Sequence, residues 1–175
     1  EFNKFYLDHK LKKFISKKKV WVASSTHTGE EKICGITHQN LKKKYKNLLT
    51  IIIPRHIERI PTIQKEMNDI GLKTHIHKPN RVIKNGIDIY LVNTYGETKS
   101  FFSACKNVFL GGSIIPHGGQ NPLEAASFGC NILHGPYISN FYDIYAFLEK
   151  NKISSKFSNS KAMTVILDNF FSRKT

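Results

Sequence analysis

Short apolar runs alternate with longer amphipathic stretches from residue 20 onward. Val20–Ala23, Leu48–Ile53, Leu72–His77, Asp88–Val92, Asn107–Leu110 and Asn131–Leu133 read as strands. The run LLTIII at Leu48–Ile53 ends at Pro54, as expected of a strand buried on both faces. Between these runs the spacing turns helical. Ile33, Ile36, Leu41 and Tyr45 share one face of a helix over Glu30–Tyr45, and a second helix runs from Ile57 to Ile70 and stops at Gly71. Further helices are predicted over Glu97–Cys105, Pro122–Phe128, Ile144–Leu148 and Lys161–Phe171. Strands alternating with helices predict an α/β domain, a parallel sheet covered on both sides. In such sheets ligands bind beyond the carboxyl ends of the strands, so the chemistry is expected in the loops that follow them.

Composition narrows the partners. Lys and Arg number 27 against 13 Asp and Glu, a net charge of +14, which favours an anionic partner. The surplus is concentrated in residues 1–60, with Lys10, Lys12, Lys13 and Lys17–Lys19 in one cluster and Lys42–Lys44 with Lys46 in another. Solvated helix faces explain these clusters as well as a binding patch does. The basic stretch Lys78–Lys84 reads as a solvated turn. Cys34, Cys105 and Cys130 are scattered without metal-ligand spacing, and reduced thiols are expected. No apolar run reaches the ~20 residues of a membrane helix, and the first residues carry no signal-peptide pattern.

Four strand-end loops could carry chemistry. Ser24–Glu31 offers hydroxyls and free amides ahead of a helix, a phosphate cradle or an ordinary helix cap. Arg55 follows Pro54 directly at the end of a strand, where its donor fork could grip a phosphate. Tyr95, Gly96 and Glu97 follow the strand that ends at Val92, and a cap explains Glu97 cheaply. The last loop is the most informative. Gly111 and Gly112 turn after a strand, and His117-Gly118-Gly119-Gln120-Asn121-Pro122 leads into a helix, with Asn121 as the expected N-cap and Pro122 at the first helical position. Glu124 lies in the first turn. A carboxylate repels phosphate but can accept hydrogen bonds from the two hydroxyls of a ribose, so glycines with a carboxylate describe a nucleotide. Neither Gly-x-Gly-x-x-Gly after the first strand nor a Walker A sequence is present, which disfavours NAD or ATP chemistry.

Six motifs in this order, STHTGEE (25–31), IPRHIER (53–59), TYGE (94–97), GGS (111–113), GGQNPLEAASFG (118–129) and GPYISNF (135–141), resemble the C-terminal half of 3-deoxy-D-manno-octulosonic acid (Kdo) transferases. The resemblance implies one Rossmann-like half of a GT-B glycosyltransferase, of the kind that moves Kdo from CMP-Kdo onto a lipid A precursor in lipopolysaccharide synthesis. Pro54 and Arg55 would then contact CMP, Tyr95, Gly96 and Glu97 would line its pocket, and Asn121, Pro122, Leu123 and Glu124 would hold phosphate and ribose. The ring of Tyr95 is bulkier than the family's usual side chain there, and could stack on cytosine. No cofactor or metal is called for, and no nucleic acid.

The family's catalytic base is a glutamate of the other half, so this chain is expected to be a piece of a longer enzyme and inactive alone. The expected division is a basic linker or docking helix over 1–19, a nucleotide-sugar-binding domain over 20–150 and a divergent helical tail over 151–175. The resemblance also implies the cytoplasmic face of the inner membrane, where the lysine clusters could meet anionic lipid. A half that binds a UDP-sugar is the nearest alternative. A basic nucleic-acid-binding domain is a remoter one, because basic and aromatic residues do not interleave.

Overall fold

The computed structural model describes residues 7–78 and 81–173. Residues 1–6 of the expected linker, residues 79 and 80 of the basic turn, and residues 174 and 175 lie outside the described residues. Seven parallel strands form one sheet: β1 (Lys19–Thr26), β2 (Leu48–Pro54), β3 (Thr74–Ile76), β4 (Ile89–Leu91), β5 (Asn107–Leu110), β6 (Asn131–His134) and β7 (Ser154–Lys156). Their order is β3-β4-β2-β1-β5-β6-β7. The chain builds outward from β1 on one side, then crosses back to place β5 against its other flank. That reversal opens a crevice at the carboxyl ends of β1 and β5.

Strand alternation feeds two cores. Val22, Leu49, Ile51, Tyr90, Val108 and Ile132 face one side. There they meet α1 (His9–Ser16), α4 (Thr98–Ala104), α5 (Leu123–Ser127) and α6 (Tyr142–Lys150) through Leu11, Ile15, Phe101, Ala125, Tyr145 and Leu148. Trp21, Ala23, Leu48, Ile52, Ile89, Phe109 and Leu133 face the other side. Their partners there come from α2 (Glu30–Lys42), α3 (Ile60–Asp69) and α7 (Ser160–Ser172), through Cys34, Leu41, Ile63, Met67, Met163 and Leu167. Gly35 lets α2 and α3 approach, since a Cβ there would lie 2.8 Å from the Ile70 side chain. All three cysteines are free and buried. Among the described residues no helix is long and apolar enough to cross a membrane.

Both ends of the chain pack on the same sheet. Residues 7–16 hold a helix that docks on this domain's own core, with Leu7, Leu11 and Ile15 buried one helical turn apart. Asp8 caps it, its carboxylate accepting from Lys10 N at 3.3 Å. Residues 151–173 do not stand apart as a tail. Ser154–Lys156 adds an edge strand beside β6, and α7 buries Met163, Leu167 and Phe171 against α2 and the sheet. Within the central elements the differences are at the boundaries. The helix expected over Ile57–Ile70 begins as a 3-10 turn at Ile57–Arg59 before α3.

If α1 is part of the core, Leu11→Ala should lower the unfolding free energy by about 2–4 kcal/mol. Urea denaturation followed by circular dichroism reads this. An unchanged midpoint would make α1 a separable appendage.

Candidate functional site

The carboxyl ends of β1, β2, β5 and β6 release loops that are tied together by hydrogen bonds. The central tie is Glu30, the first residue of α2, whose side chain is fully buried. Its Oε1 accepts from the N–H of His27 at 2.9 Å and of Gly112 at 2.7 Å. Its Oε2 accepts from Ser113 N at 3.3 Å and Ile114 N at 3.1 Å. A buried carboxylate is costly unless its lone pairs are met, and here four backbone donors meet them. The loop after β5 is thereby fastened to the loop after β1.

Two glycines allow the contact to be this close. A Cβ at Gly111 would fall 2.3 Å from the Ser25 carbonyl oxygen, and one at Gly135 would fall 2.2 Å from that of Ser113. Gly111 N donates to Ser24 O at 2.7 Å, and Gly135 N donates to the Ser113 hydroxyl at 2.9 Å. Ser25 sits at φ +56°, a left-handed conformation that few non-glycine residues adopt and that tends to mark functional turns. From β2, Arg55 N donates to Thr26 O at 3.0 Å, which joins the third loop to the set.

These loops border a cavity of about 280 Å³ lined by Ser24, Ser25, Thr98, Phe102, Leu110, Gln120, Asn121 and Glu124. It lies at the crevice between the ends of β1 and β5. A ring of hydroxyl, amide and carboxylate groups over an apolar floor of Phe102 and Leu110 suits a small polar ligand with one flat face. Asn121 and Glu124 stand where the sequence put them, at the mouth. Their helix is shorter than expected: α5 starts at Leu123, with Pro122 in the preceding cap position. Asn121 lies one residue before that cap with its Oδ1 accepting from Leu123 N at 3.0 Å, so the cap and the first helical position each fall one residue later than expected. Leu123 is half exposed beside the cavity, and Pro122 is buried under it.

The other expected residues surround the cavity without lining it. Pro54 is the buried last residue of β2, and Arg55 is exposed just beyond it. Tyr95 and Gly96 are exposed on the loop after β4, and the Tyr95 hydroxyl lies 3.4 Å from Ile57 N as its acceptor. Glu97 was expected at the pocket wall. It is instead engaged by neighbours, accepting from the Thr94 hydroxyl and lying 3.1 Å from His77 Nε2. The wall position falls to Thr98, one residue on. Phe102 and Gln120 were not singled out by sequence, and neither carries a signal that periodicity or spacing could expose.

Charge gathers on the β2 side of the crevice. Glu31, buried and fully desolvated, pairs with Arg59, and burial raises its pKa to about 7 against the opposing pull of that guanidinium. His27, His56 and His117 converge from three loops, with His27 4.2 Å from His117 and 6.0 Å from His56 between ring centroids. Burial, then Coulombic repulsion from His117, His56, Arg55 and Arg59, lowers the His27 pKa to about 4. Among the described residues no group of His, Cys, Asp and Glu is arranged to hold a metal ion.

No family model matches the chain. The chain is nonetheless similar to 3-deoxy-D-manno-octulosonic acid transferases. It is 32% identical to that of Haemophilus influenzae over 129 residues, 74% of this chain and 30% of the relative. It is 32% identical to that of Aquifex aeolicus over 153 residues, 87% of this chain and 42% of the relative. The chain belongs to the 3-deoxy-D-manno-octulosonic acid transferase family.

It spans less than half the length of these curated relatives. In fold it matches the solved C-terminal CMP-Kdo binding domain of WaaA from Acinetobacter baumannii, with a TM-score of 0.84 and 23% identity over 91% of this chain and 83% of that one. The Rossmann-like parallel α/β sheet that the motifs implied is the fold observed.

Glu30→Gln keeps the shape of the tie but turns an amide N–H₂ toward backbone donors. It should cost about 2–4 kcal/mol of stability and speed hydrogen exchange at the Gly112, Ser113 and Ile114 amides. Unchanged protection at those three amides would contradict the role given to Glu30.

Proposed function

We propose that this chain is the donor-binding half of a Kdo transferase, holding CMP-Kdo for transfer of Kdo to a lipid A precursor. The observation that carries the reading is the crevice at β1 and β5, where Asn121, Glu124, Ser24 and Ser25 meet on a chain of this family. The exposed Glu124 carboxylate accepts from the two ribose hydroxyls, which a carboxylate does well and a phosphate site would not use. Asn121 and the serine hydroxyls serve the polar groups around the sugar and phosphate. Pro54 and Arg55 approach from β2, and Arg55 brings a donor fork to the phosphate. Pro122 and Leu123 hold the helix start against the nucleotide. Tyr95, Gly96 and Glu97 close the remaining side from the β4 loop, with Glu97 steadying that loop through Thr94 and His77. No metal or cofactor enters this reading.

Transfer needs a base within hydrogen-bond reach of the acceptor hydroxyl and an acceptor held against the donor. In this proposal both come from the part of the relatives' length that this chain does not span. The nucleotide half binds and orients, and it transfers nothing alone. Calorimetric titration tests the donor site. CMP should bind more tightly than UMP. Glu124→Gln should reduce the preference for CMP over 2′,3′-dideoxy-CMP, and Arg55→Ala should weaken CMP by about 1.5–3 kcal/mol. Equal ribose discrimination in the Glu124 variant would leave that carboxylate as a favourable charge at a helix start and nothing more.

The same reading puts the protein at the cytoplasmic face of an inner membrane. Support comes from the edge opposite the crevice, where Lys10, Lys13, Lys17 and Lys18 surround an open cavity of about 430 Å³ whose other walls include Phe14, Val82 and Ile83. Each lysine near an anionic surface adds roughly 1 kcal/mol. The chain should co-sediment with vesicles containing phosphatidylglycerol and stay in solution with phosphatidylcholine alone. Equal recovery with both would remove the electrostatic basis for membrane contact.

A further inference from the structure

The three histidines beside the crevice are not used by a nucleotide held at Ser24, Asn121 and Glu124. His27 is nine-tenths buried, and its Nε2 is buried without a hydrogen-bond partner. A buried polar atom left without a partner is rare and calls for one. The His27 ring lies against His117, and Gly112 brings the backbone beside both: a Cβ there would be 3.3 Å from His117 Cδ2 and 3.4 Å from His27 Cδ2. It would also be 3.3 Å from Gln120 Nε2, and Gln120 lines the cavity. The histidine cluster and the cavity therefore share a wall.

The charges around this cluster do not balance locally. From the loop after β1 come His27, Glu30 and Glu31; from the loop after β2, Arg55, His56, Glu58 and Arg59; from the loop after β5, His117. Glu30 is spent on four backbone amides, and Glu31 gives Oε1 to Arg59 while its Oε2 is buried without a partner. Glu58 is exposed, 3.9 Å from His56 Nδ1, too long for a hydrogen bond. One guanidinium nitrogen of Arg59, Nη1, is buried and also lacks a partner. Burial, then repulsion from His117, His56, Arg55 and Arg59, disfavours the protonated form of His27. An anion set between the rings would supply the missing acceptor.

We propose that His27, His56 and His117 form a second anion subsite, beside the phosphate that Arg55 reaches, and that it takes the carboxylate of a sugar acid joined to the nucleotide. The proposal rests on the donor-site reading above and deepens it. A nucleotide-linked ulosonic acid carries two anions, the phosphodiester and the carboxylate. The cavity with Asn121 and Glu124 accounts for the nucleoside and the group next to it, and the histidines account for the second charge. A neutral sugar would gain nothing from this cluster. The subsite thus selects acidic sugars over neutral ones of the same nucleotide.

The test compares CMP with freshly prepared CMP-Kdo, each displacing a fluorescent CMP analogue from the 175-residue chain. The unsubstituted chain should bind CMP-Kdo more tightly than CMP. His117→Gln, at an exposed position where folding is not at risk, should reduce that ratio by about tenfold, the worth of one charge-assisted hydrogen bond. His27→Gln should do the same, with circular dichroism confirming its fold. A ratio that stays at the unsubstituted value in folded His117→Gln, or CMP-Kdo binding no better than CMP to the unsubstituted chain, would overturn the subsite while leaving the nucleotide site standing. Failure of CMP itself to displace the probe would overturn both.

Discussion

The Glu30 carboxylate is the interaction on which the arrangement at the crevice depends. Parallel sheets deliver their loops to one edge but do not fix how those loops sit against each other. Here one buried side chain accepts from His27, Gly112, Ser113 and Ile114, so the β1 and β5 loops become one body. A charged acceptor with four donors, shielded from water, is stronger than neutral pairs would be and expensive to leave half-made. Gly111 and Gly135 then decide whether the loops can come near enough for those bonds to form. Ser24 and Ser25 on one side and Gln120, Asn121 and Glu124 on the other follow the two strands whose loops this tie joins.

The same tie separates two electrostatic environments. On one side lies the cavity with the exposed Glu124 carboxylate. On the other lie His27, His56 and His117 beside Arg55, while Glu30 is committed to backbone amides and Glu31 to Arg59. A ligand with a hydroxyl-bearing sugar at one end and an acid group at the other fits both at once. The division follows from the backbone: carboxylates used for structure are buried at the start of α2, and the one left for a ligand is at the start of α5.

Much of the fold was legible in the sequence because its central strands are continuous apolar runs. Leu48–Pro54 is buried along its whole length, and that burial is what its composition announces. Ser154–Lys156 announces nothing: an edge strand of two serines and a lysine needs only backbone pairing with β6. The α1 helix was half legible, since Leu7, Leu11 and Ile15 are correctly spaced but sit among lysines that read equally well as a linker. Asn121 and Glu124, which line the cavity, were singled out because a glycine turn before a carboxylate in a first helical turn has few chemical meanings. Thr98, which lines the cavity, was not singled out, and the contacts of Glu97 with His77 and Thr94 are distant in sequence or too local to rank. Glu30 was legible only as a charge at a helix start. Three of its four partners are more than 80 residues away, and spacing along one chain does not encode that distance.

The central claim is that the crevice between β1 and β5 is a nucleotide site. Chemical-shift mapping of the ¹⁵N-labelled chain during a CMP titration tests it most directly. The account predicts saturable shifts concentrated at Ser24, Ser25, Thr98 and Gln120–Glu124, with Arg55 included and the α1 lysines silent. Shifts confined to α1 and its lysines, or no saturable shifts at all, would contradict it.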